Sequence, residues 1–435
     1  MHSAIQNSLY LNIETSPLPF NSFMSLPPPS YESFDVLIPD YSFEPRAGEE
    51  RLEYQRARQP PVQGEDVRPT GVFVNQKDGV TVVLNYQEDK STTPVFGRRS
   101  NVEGTLLIDA PESVSKITIK LTGSIETVSP STGMTLVNVL NQTHTLFNTG
   151  DNMAPQSDCS SSLTFSYPLP GTFKHNDQEY LLPPSYYVLL GGQGQTYYAK
   201  CTYTFSAMIS KTRSRRTAFL GKNKKYNTFM FEFLPRLRPP RPVLKRSLLS
   251  TIKECPEEWR QISYQLIPRS KKSNLEPLTC QFFLPSVGVF GIRDSIPFHI
   301  QIIGSHIDSL AKLRTVTDNS RPLFRVHFLR QVEINSNGNK SAVHFPLGEA
   351  KLLPVPPLEG AISLSGQVQQ ERRQENINWE GVICCGLEEK LAPSFNAGIV
   401  VITDFIILEL SKSSMSLFQP FKHGHTVRLV SDSWR

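Results

Sequence analysis

Cysteine is scarce in this chain: Cys159, Cys201, Cys255, Cys280, Cys384 and Cys385 are the only six in 435 residues. So few, so widely scattered, cannot form a disulfide framework, and reduced thiols are expected. The adjacent Cys384 and Cys385 lack a second pair at ligand spacing and nearby histidines, so they read as strand residues and not as zinc ligands. Long apolar runs are missing too. No stretch approaches about 18 consecutive apolar residues, and the N-terminus lacks the basic-then-apolar order of a signal peptide. The expectation is a soluble, cytoplasmic chain whose membrane contact is peripheral, and the Asn-x-Ser/Thr matches at Asn141 and Asn339 carry little weight. Catalytic motifs are absent as well: there is no Gly-x-Ser-x-Gly elbow, no Gly-Lys-Ser/Thr phosphate loop and no His-Glu-x-x-His zinc motif. Gly191-Gly192-Gln193-Gly194 is followed by strand-like sequence, which makes it a turn and not a dinucleotide fingerprint. No catalytic residue, cofactor or metal is expected. With 38% hydrophobic residues, 20% charged residues and 34 prolines, the composition excludes a coiled coil, a helical repeat array or a helix bundle.

What is present is alternation. Ala199, Cys201, Tyr203, Phe205, Ala207 and Ile209 share one face of an extended segment, and Lys200, Thr202, Thr204 and Ser206 the other. Ile117, Ile119 and Leu121 alternate in the same way, and Gly123 is expected to end that strand. Pro168-Leu169-Pro170-Gly171 and Leu189-Leu190-Gly191-Gly192-Gln193-Gly194 punctuate the interval at the close spacing of an all-β domain. A second series reads as strands at Leu278 to Leu284, Ile296 to Ile303, Leu323 to Ile334, Ala361 to Val368 and Ile399 to Leu410. Length alone favours more than one core. The division is a disordered, proline-rich acidic arm over 1–69, a β-sandwich over 70–235, a basic connector over 236–277, a second β-sandwich over 278–411 and a C-terminal extension over 412–435. Within the connector, Ser247 to Gln261 is open to a short helix that Pro256 breaks or begins.

Charge is partitioned. Residues 1–66 hold ten acidic and four basic residues, whereas residues 211–246 hold twelve Lys/Arg against Glu232 alone. Pairing between arm and basic run, as an autoinhibited state, is one consequence to test. Asp404 interrupts the most apolar strand; it is either an edge or bulge residue or the partner of a buried arginine such as Arg325 or Arg330, acting as a polar latch. His299 and His327 lie in predicted strands and read as structural histidines.

Several segments, taken in order, resemble the arrestin family over roughly residues 70 to 431. Val102-Glu103-Gly104-Thr105-Leu106-Leu107-Ile108 followed by Val114 to Gly123 is similar to paired strands of an arrestin N-domain. Tyr167-Pro168-Leu169-Pro170, Leu182-Pro183-Pro184-Ser185-Tyr186 and Tyr203-Thr204-Phe205-Ser206-Ala207 repeat that family's later strand order. Phe283-Leu284-Pro285 with Arg293-Asp294-Ser295-Ile296-Pro297 resembles the opening of the C-domain, and Val427-Arg428-Leu429-Val430-Ser431-Asp432 its end. The resemblance implies an all-β fold of two tandem immunoglobulin-like sandwiches that binds partners without catalysis.

The fungal-like alpha-arrestin branch further implies an adaptor that brings HECT-type ubiquitin ligases to membrane transporters or receptors at the plasma membrane or endosomes, through Pro-Pro-x-Tyr motifs read by WW domains. Pro28-Pro29-Ser30-Tyr31 supplies such a motif: Pro28 and Pro29 preset a polyproline II rod for the aromatic groove, and Tyr31 fills the next pocket. The motif precedes the first sandwich, whereas the branch usually carries it after the second. Pro183-Pro184-Ser185-Tyr186 matches as well but reads as the start of a strand. The basic residues Lys211, Arg213, Arg215, Arg216, Lys222, Lys224, Lys225, Arg236, Arg238 and Arg241 are candidates for anionic cargo tails or lipid head groups. A trafficking scaffold without ligase recruitment is the alternative. Nucleic acid binding is disfavoured, because Tyr203 alternates onto the same face as Phe205 and Ile209 instead of forming a stacking platform.

Overall fold

The computed structural model describes residues 69–434 except 132, 150–158, 193–194, 212–223, 245, 271–274, 305–323, 337, 356–374, 387–390 and 411–416. The arm read from sequence as disordered, and the strand expected at Ala361 to Val368, lie outside the described residues.

Alternating sequence becomes strand throughout. The first half contains β1 (Gly71–Lys77), β2 (Val80–Gln87), β3 (Val95–Phe96), β4 (Asn101–Ile108), β5 (Val114–Ser129), β6 (Gly133–Asn148), β7 (Ser162–Pro168), β8 (Thr172–His175), β9 (Gln178–Leu181), β10 (Tyr186–Gly192), β11 (Gln195–Lys211) and β12 (Lys224–Phe233). One sheet runs β1-β2-β4-β7 and the other β3-β12-β11-β5-β6, with β10 on the first part of β11 where β12 takes the second. The inward row of β11 from Ala199 to Ile209 is buried, as its alternation requires. Two-residue turns at Asp78-Gly79 and Asn176-Asp177 have positive φ at both positions, the twist that suits a tight hairpin.

The second half contains β13 (Trp259–Leu266), β14 (Leu278–Pro285), β15 (Val289–Gly291), β16 (Ile296–Gly304), β17 (Phe324–Ser336), β18 (Asn339–Glu349), β19 (Lys351–Val355), β20 (Glu375–Ile383), β21 (Phe395–Asn396), β22 (Val400–Leu410) and β23 (Phe421–Val430). Its sheets run β13-β14-β16-β20-β19 and β15-β23-β22-β17-β18, with β21 on β22. The two halves therefore follow one strand plan. In each, a short strand lies parallel to the end of the last strand, β3 on β12 and β15 on β23.

Several boundaries differ from the sequence reading. β13 lies inside the stretch read as connector and β23 inside the stretch read as extension. Both alternate, with Ile262, Tyr264 and Leu266 on the covered row of β13 and Val427 and Leu429 on that of β23, but their outward rows are polar or charged and the sequence reading passed over them. Besides β13, the described residues of the connector hold a one-turn helix, Leu248–Thr251, and a 3-10 turn at Pro256–Glu258 that Pro256 begins. Leu189 to Gly192 belong to β10, and Cys384 and Cys385 follow the end of β20. Gly123 does not end its strand: β5 continues to Ser129. A Cβ there would lie 2.5 Å from ring atoms of Tyr203, so the glycine makes room for that ring within the sandwich.

Candidate functional site

The plan repeats at single-residue resolution. In the first half, Tyr203 stands opposite Gly123 at the point where β11 changes partner from β10 to β12. At the same point in the second half, where β22 changes partner from β21 to β23, Asp404 stands opposite Arg330. Leading into β10 and β21 are Leu182-Pro183-Pro184-Ser185-Tyr186 and Leu391-Ala392-Pro393-Ser394-Phe395. Each serine clamps the last strand of its own half. The Ser185 N–H donates to Phe233 O (2.8 Å) and Ser185 Oγ accepts from Phe233 N (2.9 Å); the Ser394 N–H donates to Leu429 O (2.9 Å) and Ser394 Oγ accepts from Leu429 N (2.7 Å). The Tyr203 hydroxyl donates to Pro183 O (2.6 Å) where Arg330 Nη1 donates to Ala392 O (2.8 Å). Sequence reading saw the Pro-Pro-Ser-Tyr strand start but missed its counterpart; the five-residue pattern Leu-x-Pro-Ser-aromatic was the available signal.

Equivalent residues meet where the halves join. The Tyr186 and Phe395 rings pack edge to face at 5.7 Å. Thr135 Oγ1 lies 2.9 Å from Ser336 Oγ, and on the other side Ser341 meets Ser131, two residues from the Ser129 that is the counterpart of Ser336. Such reciprocity is the mark of a local two-fold relation. Val332, Ala397, Ile399, Val400 and Ile402 of the second half belong to the apolar cluster of the first. Gly398, at φ +76°, lies against the Tyr180 ring with no room for a side chain.

Arg330 and Asp404 sit at the seam between two apolar bodies. Along β17, Phe324, Val326 and Phe328 belong to the second core and Val332 to the first; along β22, Ile406, Leu408 and Leu410 belong to the second and Val400 and Ile402 to the first. The pair is fully buried and bidentate, Nε to Oδ1 at 2.7 Å and Nη2 to Oδ2 at 2.9 Å. Ser394 Oγ donates to Asp404 Oδ2 at 2.7 Å. Of the two arginines considered from sequence, Arg330 is the partner; Arg325 instead pairs with Glu349 at the surface. Asp404 is a central-strand residue, neither edge nor bulge. The Tyr186 hydroxyl faces this pair, is buried and has no hydrogen-bond partner among the described residues. Burial raises its pKa, opposed by Arg330 and reinforced by Asp404.

A cleft of about 570 Å³ opens at the same junction, lined by both Leu-x-Pro-Ser-aromatic segments, by Pro235 and by Leu237 of the connector, with Arg98, Glu179 and Arg428 among its polar residues. The connector is pinned beside it: the Leu237 N–H donates to Ser431 Oγ (2.8 Å) and the Asp432 N–H to Leu237 O (3.0 Å). Among the described residues, no group of three or more His, Cys, Asp or Glu could hold a metal ion, and no helix is long and apolar enough to cross a membrane.

The expected binding residues are not brought together. Pro28, Pro29 and Tyr31, and Arg213, Arg215, Arg216 and Lys222, lie outside the described residues. Lys211, Lys224 and Lys225 lie at the far end of the β11–β12 hairpin, where Lys225 Nζ donates to Asp78 O. Arg236 and Arg238 are exposed on either side of Leu237. The ten residues of β12, at about 3.3 Å each, set these two groups roughly 30 Å apart. Arg241 is occupied internally, donating to Glu258 Oε1 (2.7 Å) and Ser286 Oγ (2.6 Å). Searches against protein-family models and curated proteins match nothing to this chain.

Proposed function

We propose that this protein is a non-catalytic, arrestin-like adaptor that links membrane-protein cargo to a HECT-type ubiquitin ligase. The observation that carries the reading is the repeated strand plan: two β-sandwiches joined about a local two-fold by an apolar junction and a pinned connector. Such a body offers broad sheet surfaces and two separated basic groups to partners, consistent with the order of segments that resembles the arrestin family. In this reading Pro28, Pro29 and Tyr31 dock a WW domain, while Lys211, Lys224 and Lys225 at one end and Arg236 and Arg238 at the junction meet anionic cargo tails or lipid head groups. Arg241 is left out because its guanidinium is already engaged.

A pull-down of the intact chain and of Tyr31→Ala with HECT-ligase WW domains tests the ligase half of the proposal. Capture by the wild type and loss with Tyr31→Ala is expected. No capture by the wild type leaves a scaffold without ligase recruitment, and equal capture of both removes Tyr31 as the docking residue.

A further inference from the structure

Edge strands expose unpaired backbone groups, and folded proteins commonly guard them with charge, proline or shortness. Most edges here follow that rule. β1 carries Lys77, β7 Pro168, β13 Arg260, and β19 Lys351 and Pro354, while β3 and β15 are only two and three residues long. β18, the counterpart of β6 in the second sandwich, carries Lys340, Pro346 and Glu349. β6 is different: its 16 residues, GMTLVNVLNQTHTLFN, contain neither a charged residue nor a proline. Two register shifts against β5, at Ile117/Thr118 and Gly123/Ser124, break its ladder but leave Met134 to Asn138 regular. Five residues are a typical strand length.

The outer face beside that run is apolar in one row and mixed in the next. Register places Leu189, Tyr198, Val128 and Met134 in one row across β10, β11, β5 and β6, and Tyr187, Lys200, Glu126 and Leu136 in the next. Met134 is 68% exposed and Leu136 61%. β10 is also uncharged, but its first residue, Tyr186, is spent on Phe395 at the junction and it ends in Gly191-Gly192.

We propose that β6 pairs with β6 of a second copy of this chain, antiparallel about a two-fold axis at Leu136. In a two-fold pairing every residue meets its own strand, so charge on the strand would oppose itself; β6 has none. Parity is also met, since residues whose numbers sum to 272 share a face: Leu136 stands beside Leu136, and Met134 beside Asn138. The two outer faces then join into one eight-stranded surface, with Met134 and Leu136 covered at its centre.

Sedimentation of the intact chain over about 1 to 100 µM, the range in which modest interfaces assemble, tests this. A concentration-dependent dimer is expected. Leu136→Lys sets two ammonium groups face to face and should raise its dissociation constant about tenfold or more. Met230→Lys, at an equally exposed residue on β12, should leave it unchanged. Amide hydrogen exchange should slow across Met134 to Asn138 on dimerisation. A chain that stays monomeric throughout, a dimer that Leu136→Lys leaves intact while circular dichroism shows it folded, or a dimer without protection at those amides overturns the proposal.

Discussion

Removing the Asp404 carboxylate probes the seam directly. In Asp404→Ala, Arg330 keeps, among the described residues, a bond only to Ala392 O, having lost two charge-assisted bonds at 2.7 and 2.9 Å, and its guanidinium remains fully buried. An uncompensated buried charge costs about 3–5 kcal/mol. Ser394 Oγ also loses its acceptor but keeps the Leu429 N–H, so its contribution is smaller. Replacing both partners with apolar residues of similar size, Arg330→Met with Asp404→Leu, removes the charge as well as the pairing and should fall within about 1 kcal/mol of wild type, or above it. The assay is urea unfolding of wild type, Arg330→Met, Asp404→Leu and the double variant, followed by tryptophan fluorescence and read as a double-mutant cycle. A coupling of about 2 kcal/mol or more is expected. Single variants that each cost under about 1 kcal/mol, or costs that simply add, would show that the pair is not the interdependent seam described above.

Three further outcomes follow from the same contacts. Tyr186→Phe removes a buried hydroxyl with no partner among the described residues, so thermal unfolding should show a change between zero and about 1 kcal/mol of added stability; a clear loss would mean the hydroxyl is bonded. Gly123→Ala puts a methyl group into the buried Tyr203 ring and should cost about 2–3 kcal/mol in the same unfolding assay, whereas unchanged stability would refute the close approach. The pH dependence has a definite sign. His425, bonded to the Tyr264 hydroxyl, is lowered from 6.5 to about 4 by burial, then by Arg260 and His423; burial likewise lowers His299, His327, His344 and His423. The unfolded chain therefore takes up these protons first. Stability is complete above about pH 6.5 and falls toward pH 4, by roughly 2 kcal/mol for His425 after allowance for its partial exposure. His425→Gln should flatten that slope; equal slopes for both proteins would exclude His425 as its source.

The sequence by itself determined the elements and the class of fold. Alternation at Ala199 to Ile209 and Leu278 to Leu284 is a local property, because every second side chain of a strand faces the same side whatever lies opposite, and the run from Ile399 to Leu410, apolar on both faces, reads as a central strand. It also marked Asp404 as an oddity among apolar neighbours. It misread Gly123 as a stop, since a glycine that yields space to Tyr203 leaves no local trace, and it assigned Trp259–Leu266 and Phe421–Val430 to linker and tail although Ile262, Tyr264 and Leu266, and Val427 and Leu429, alternate there. Only the tertiary structure decided that Asp404 meets Arg330, that this pair replaces Tyr203 and Gly123 in the repeated plan, and that the basic run divides into groups at opposite ends of β12. Those facts depend on register between strands distant in sequence, and register is fixed by the packing of whole sheets and not by the residues of one segment.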